Sequence, residues 1–133
     1  MEGTVFISVR NADKRDIIFI AKKLEDLGFN LVATEGTAAA LAHNDVAVTA
    51  LRKISVGRPN VLDMMKNDDI CLVINTVSGK NPRRDEIHIR THAITNNIPL
   101  ISTLSAAAAF VNGIEALKKR GITVKPLQDY VQD

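Results

Sequence analysis

The sequence predicts an α/β domain in which a mainly parallel β-sheet is covered by helices on both faces. Short apolar runs alternate along the chain with longer segments whose apolar residues recur at three- and four-residue spacing. One such run, residues 71–74, stops abruptly at a small polar loop, as strands buried on both faces of a parallel sheet do. Four other apolar runs end in the same way. This alternation favours a three-layer sandwich built on five strands.

Composition restricts the class of protein. The 133 residues fit a single domain, residues 1–133, with no room for a second core. A net charge of +2 is too small to indicate a nucleic-acid-binding surface. No apolar run approaches the ~18 residues of a membrane span, so we expect neither nucleic acid nor membrane as a partner. The single cysteine, Cys71, lies in an apolar run and is expected to be a small buried residue, and a cytoplasmic location follows as an expectation.

The first half of the chain reads as two strands, each followed by a helix. Residues 4–9 form the first strand, and residues 14–27 an amphipathic helix closed by Gly28. Residues 29–33 form the second strand. Thr37 then begins a short alanine-rich helix that ends near residues 43–45.

The second half continues the alternation. The third strand lies near residues 46–48 or 51–54, and Pro59 opens a helix that runs to Lys66. The strand at residues 71–74 is followed by a helix over 85–97, a strand over 99–102 and a long helix over 104–119. Residues 122–124 are expected to be extended, and residues 127–131 to form a helical turn or two.

Polar residues follow the predicted strands, and right-handed crossovers place the carboxyl ends of all these strands at one edge of the sheet. Hydroxyls, helix N-termini and lysines at one edge make an anion site, and a phosphate ester is the anion such a set fits best. The alternative is that Thr37, Ser78 and Thr103 only cap helices. The residues expected at this edge are Ser8, Lys14, Thr34, Gly36, Thr37, Lys53, 75–79, Ser102 and Thr103.

Other chemical signals in the sequence are weak. His88 and His92 are four residues apart on a predicted helix, but no third metal ligand accompanies them, so we assign no metal site. The basic residues 80, 83, 84 and 90 are interspersed with acids and indicate a salt-bridged surface. Asp13 and Glu35 are the carboxylates nearest the predicted site, and each is explained equally well by capping or solvent exposure. No catalytic residue is therefore assigned.

Several motifs taken together resemble a known family. The chain is similar, over nearly its whole length, to the methylglyoxal-synthase-like domain, in the version that closes the large subunit of carbamoyl-phosphate synthetase. The motifs keep the order and separation of that family. They are residues 8–10 with 13–14, residues 34–37, Lys53 with residues 57–59, and residues 74–79.

The resemblance implies a five-stranded parallel sheet and a regulatory role for a domain that binds nucleotide effectors of the UMP and IMP type. By position, Lys14, Thr34, Gly36, Thr37 and Lys53 would hold the effector's phosphate. Asn75, Thr76 and Ser78 would lie beside its ribose or base. Ser102 matches a hydroxyl that the family places on the ornithine side of the domain. The family often has threonine where this chain has Val77, which removes one polar contact.

The parent enzyme of this family makes carbamoyl phosphate from glutamine, bicarbonate and ATP, for arginine and pyrimidine synthesis. The resemblance therefore implies that this chain is a non-catalytic domain excised from the end of a much larger one. Its partners would be a nucleotide effector, the remainder of the large subunit and the glutaminase small subunit. No cofactor is expected in this domain, whereas the parent uses ATP with Mg or Mn.

Two enzymes are the alternatives. The first is a free-standing methylglyoxal synthase, a lyase that acts on dihydroxyacetone phosphate and needs a carboxylate base beside the phosphate. These lyases carry an aspartate in a glycine-rich segment after the third strand; here the corresponding stretch is residues 57–63, and Asp63 is predicted to lie inside a helix. The second is a piece of an IMP cyclohydrolase, whose downstream motifs fit less well.

Overall fold

The structure is a computed structural model that describes residues 3–52, 60–77 and 84–121, with only the backbone of residues 84 and 85. Lys53, Ser78 and the two short elements predicted after Gly121 lie outside the described residues. Within these ranges the chain alternates strands and helices as the sequence predicts. The strands are β1 Thr4–Ser8, β2 Asn30–Thr34, β3 Thr49–Leu51, β4 Leu72–Asn75 and β5 Leu100–Ile101. The helices are α1 Ile17–Asp26, α2 Glu35–His43, α3 Val61–Lys66, α4 Arg84–Thr95 and α5 Leu104–Lys119.

The five strands form one sheet in the order β3-β2-β1-β4-β5, and every pair is parallel. The chain moves outward from β1 to β2 and β3, then returns to place β4 on the other side of β1. The order therefore reverses between β1 and β4. In open parallel sheets, ligands bind beyond the carboxyl ends of the strands at such a reversal.

Alternate residues of the strands pack against two separate layers of helices. Val5, Ile7 and Ile74 point to the layer that contains α1, α2 and α5. Phe6, Val32 and Val73 point to the opposite layer, which α3 and α4 supply. Because each strand is buried on both faces, its sequence is a continuous apolar run. None of the described helices is both long and apolar enough to cross a membrane.

Most elements differ from the sequence predictions by one or two residues at an end, and α3 begins at Val61, capped by Asn60, rather than at residue 59. Three further differences concern α1, β3 and α2. A 3₁₀ turn at Asn11–Asp13 precedes α1, so that helix begins at Ile17. The third strand is Thr49–Leu51, which follows the first predicted stretch and overlaps the second only at Leu51. α2 begins at Glu35 and contains Thr37, which is therefore not a capping residue. Pairing with β2 sets the position of β3, and Thr37 Oγ1 accepts from the N–H of Val9 instead of capping α2.

Cys71, expected to be buried within a strand, is half-buried directly before β4, and its Sγ occupies the space beside Gly3, where a Cβ would lie 2.7 Å from the sulfur. Burial raises the pKa of the Cys71 thiol to about 11. Because the thiolate is the nucleophile, we expect slow alkylation by iodoacetamide at pH 8 in the folded domain and rapid alkylation in urea. Mass spectrometry measures the alkylation rate in both conditions. Equal rates in the folded domain and in urea would contradict this expectation.

Candidate functional site

Three polar side chains form a row across the carboxyl ends of adjacent strands. Ser8 is paired with Asn75, and the Thr34 hydroxyl lies 3.4 Å from Ser8 Oγ, so the row runs Thr34–Ser8–Asn75. These residues follow Val32, Phe6 and Val73 by two positions, and so they lie on the face of the sheet covered by α3 and α4. The apolar core of that face thus ends in a line of hydrogen-bonding groups at the reversal of strand order. We refer to Thr34, Ser8 and Asn75 as the polar row.

The Thr34 end of the row meets the N-terminus of α2 and a lysine. Thr34 precedes α2, but its hydroxyl lies 3.3 Å from Thr37 Oγ1 instead of capping the helix. The Lys14 ammonium donates to Asn11 Oδ1 at 2.7 Å and lies over Gly36, where a Cβ would approach Nζ to 2.7 Å. An ammonium group, hydroxyls and backbone N–H groups at a helix N-terminus therefore converge here, as an oxyanion requires.

Two threonine hydroxyls hold the backbone that follows β1. Thr37 Oγ1 accepts a hydrogen bond from the N–H of Val9, and Thr76 Oγ1 accepts one from the N–H of Arg10. Both threonines are buried. The loop after β1 is thus tied to α2 on one side and to the end of β4 on the other.

Asn75 has no exposed surface, yet neither its Oδ1 nor its Nδ2 has a hydrogen-bond partner among the described residues. Arg90, on α4, lies with Nη2 3.5 Å from the carbonyl oxygen of Asn75. Its Nε is also buried and without a partner in that part of the chain. Buried polar groups are nearly always paired, so three unpaired atoms at one place need an explanation.

A groove of about 340 Å³ opens on the other side of the β1 loop, beside the start of α5. Arg10 and Asp13 form an ion pair of 2.9 Å at its wall. Thr103 caps α5 by accepting from the N–H of Ala106, so the capping alternative is confirmed for this residue. Ser102 is exposed and lines the groove, and half-buried Val77 also lines it.

The three carboxylates that the sequence singles out as candidate bases are engaged or exposed. Asp13 is buried in its ion pair with Arg10. Asp63 lies in α3, as predicted, and its Oδ2 accepts from the N–H of Asn60 in a capping box. Glu35 is exposed in the first turn of α2. In residues 3–52, 60–77 and 84–121, no three His, Cys, Asp or Glu side chains form a group that could hold a metal ion.

The structure brings most of the sequence-predicted site residues together, in two groups. Lys14, Thr34, Gly36 and Thr37 cluster at one end of the polar row, and Asn75 forms the other end. Thr76 borders the row but turns its hydroxyl to the loop backbone, and Ser102 faces the separate groove.

Arg90 lies beside the polar row, where the sequence did not place it. The interspersed charges around Arg90 predict a salt-bridged surface, whereas its Nε is buried and its Nη2 contacts the end of β4. The prediction is wrong because the charge pattern around Arg90 does not show which face of α4 it occupies. Ala93, a small apolar residue three positions further on and thus on the same side of α4, is buried against the sheet and is a signal in the sequence that could have suggested it.

Comparison with known proteins gives consistent matches. The sequence model of the MGS-like domain family matches residues 16–102. The chain is 47% identical over 130 residues to a carbamoyl phosphate synthase large chain of Methanocorpusculum labreanum, covering 98% of this chain and 12% of that protein. It is 45% identical to the C-terminal section of the large chain of Methanopyrus kandleri, covering 97% of this chain and 24% of that protein.

A solved structure shares the fold. Methylglyoxal synthase from Elizabethkingia anophelis NUHP1 superposes with a TM-score of 0.66 at 20% identity, over 83% of this chain and 76% of that one. The five-stranded parallel architecture expected from the sequence is thereby confirmed. The chain spans only an eighth to a quarter of the length of the two synthase relatives.

Proposed function

Because this chain belongs to the MGS-like domain family and its relatives are carbamoyl phosphate synthase large chains, we propose that it is the effector-binding domain of such a large chain. The effectors are nucleotides of the UMP and IMP type, and the domain takes part in the response to ornithine. In this proposal the domain regulates but does not itself catalyse. It acts on the ATP-dependent, Mg- or Mn-requiring synthesis of carbamoyl phosphate from glutamine, in the cytoplasm, for arginine and pyrimidine synthesis.

The observation that carries the proposal is the polar row with two chemically different ends. Thr34 and Asn75 are separated by two strand spacings, about 10 Å. One end has an ammonium group and a helix N-terminus, which suit a phosphate, and the other has a buried amide, which suits a neutral hydrogen-bonding group. A nucleotide is long enough to reach both ends. A triose phosphate, with its short carbon chain, is not.

The assignment of individual residues follows the same division. Lys14, Gly36 and Thr37 hold the phosphate with Thr34, and Lys53 joins them by its position in the family motif. Asn75 takes the base or ribose, with Thr76 and Ser78 beside it. Ser102 is exposed and so is available to the rest of the large chain, where the ornithine signal would pass. The glutaminase small subunit completes the assembly.

Methylglyoxal synthase is the second candidate, because a protein of that name shares the fold. Its reaction requires a carboxylate base beside the substrate's carbon chain. Asp13 and Asp63 are both held by other groups, and of these three carboxylates only that of exposed Glu35 is left for the role. This arrangement favours the regulatory function over the lyase.

We expect the 133-residue chain to bind UMP or IMP in isothermal titration and to form no methylglyoxal from dihydroxyacetone phosphate. The physical reason is a phosphate site without an available base. An authentic methylglyoxal synthase, assayed in parallel, is the positive control. Methylglyoxal formation at a comparable rate would overturn the regulatory function, and a Glu35→Gln variant would then show whether Glu35 supplies the base.

A further inference from the structure

Arg90 is a cationic side chain with few hydrogen-bond partners among the described residues. It is half-buried on the side of α4 that meets the sheet, next to buried Ile89. Its guanidinium approaches the carbonyl of Asn75 at 3.5 Å, the long limit of a hydrogen bond, and forms no ion pair with any carboxylate of the described residues. Withdrawing such a charge from water without a full set of partners is unfavourable.

The unpaired atoms of Arg90 and Asn75 are complementary to the same kind of ligand group. Asn75 offers one acceptor, Oδ1, and one pair of donors at Nδ2, while the guanidinium offers donors only. A half-turn of the Asn75 amide exchanges Oδ1 and Nδ2, so the amide can match either order of donor and acceptor on the ligand. The Arg90 guanidinium has no acceptor to exchange, so it requires a ligand acceptor next to the donor and acceptor that bind Asn75.

We propose that Arg90 is a ligand-binding residue of the effector site and that, with Asn75, it holds the heterocyclic base. This inference rests on the proposed function, because the phosphate site at Thr34 and Lys14 sets which end of the ligand reaches Asn75. The ligand group is a planar heterocycle with a donor and an acceptor side by side and a further acceptor next to them. The Asn75 carbonyl contact orients the guanidinium before the ligand arrives.

The test compares UMP with ribose 5-phosphate, which carries the same phosphate and sugar but no base. Arg90→Met keeps the length and apolar stem of the side chain and removes its donors, and Arg90→Lys keeps the charge. Arg120→Met is the matched control: it removes an exposed charge just beyond the C-terminus of α5, about 24 Å along that helix from the site edge. Isothermal titration and thermal melting are measured for every variant.

We expect Arg90→Met to lower UMP affinity by about tenfold to a hundredfold, the range for losing a charge-assisted hydrogen bond. Ribose 5-phosphate affinity should stay within about twofold of the wild type, Arg90→Lys should restore part of the loss, and Arg120→Met should change neither ligand. A melting temperature close to that of the wild type would show that the fold of Arg90→Met is intact. A purely structural loss would lower the melting temperature and weaken the binding of both ligands together.

Two results would overturn the inference. Equal losses for UMP and ribose 5-phosphate would place Arg90 at the phosphate or in the fold, and an unchanged UMP affinity would exclude it from the site. Failure of the proposed function has a different signature: the wild-type chain would then bind neither ligand.

Discussion

Replacing Asn75 with leucine should make the ligand-free domain more stable while it weakens UMP binding by at least tenfold. The fully buried amide has no partner among the described residues, and removing such a group relieves a desolvation cost of about 1–3 kcal/mol. For a domain of this size the melting temperature should rise by about 3–10 °C. The affinity falls because leucine offers the base no hydrogen bond. Differential scanning calorimetry and titration with UMP measure the two effects.

Asn60→Leu is the matched control for this result. Asn60 is also a buried asparagine, but its Oδ1 accepts from the N–H of Leu62 and caps α3. Leucine there removes the cap, so the domain should lose about 0.5–2 kcal/mol of stability. The same substitution thus has opposite signs at the two positions. A lower melting temperature for Asn75→Leu would show that the amide has a structural partner and would remove the main support for a ligand at this end of the row.

Gly36→Ala should weaken binding of every phosphorylated ligand by about tenfold without harming the fold. Gly36 is in the first turn of α2, where alanine is favoured over glycine by roughly 0.5–1 kcal/mol. The new methyl group would lie 2.7 Å from Lys14 Nζ, so the flexible lysine must move away from the N-terminus of α2. One charge-assisted hydrogen bond to the phosphate is then lost or misplaced. Titration with ribose 5-phosphate and UMP should show equal losses.

Gly113→Ala controls for the change in helix propensity. Gly113 lies in α5, and no atom within 4 Å would meet its new Cβ. The Gly113→Ala substitution should raise stability about as much as Gly36→Ala does, and it should leave the affinities for ribose 5-phosphate and UMP unchanged. Lys14→Met gives the full effect of removing the ammonium group, and its loss should exceed that of Gly36→Ala. If Gly36→Ala binds ribose 5-phosphate as the wild type does, the phosphate does not lie between Lys14 and α2.

The sequence predicted the fold class, the succession of strands along the chain and most of the polar residues at the carboxyl edge of the sheet. It did so because strands buried on both faces are continuous apolar runs and because parallel strands end at a common edge. The long helix α5 was predicted with its observed bounds, since Thr103 and Gly121 mark its ends clearly. Polar residues directly after apolar runs, such as Thr34 and Asn75, could therefore be placed at this edge without knowledge of their contacts in space.

Only the tertiary structure decided what the polar groups bond to. Thr37 and Thr103 carry the same signal in the sequence, yet one accepts from the backbone of Val9 and the other caps a helix, because the first turn of α2 lies beside the loop that follows β1. Asn75 reads as a strand-ending residue, but its lack of partners depends on the side chains that surround it in space. Arg90 reads as a surface charge until α4 is placed against the sheet. A hydrogen bond depends on distances between segments far apart in the chain, and the local pattern of residues does not contain those distances.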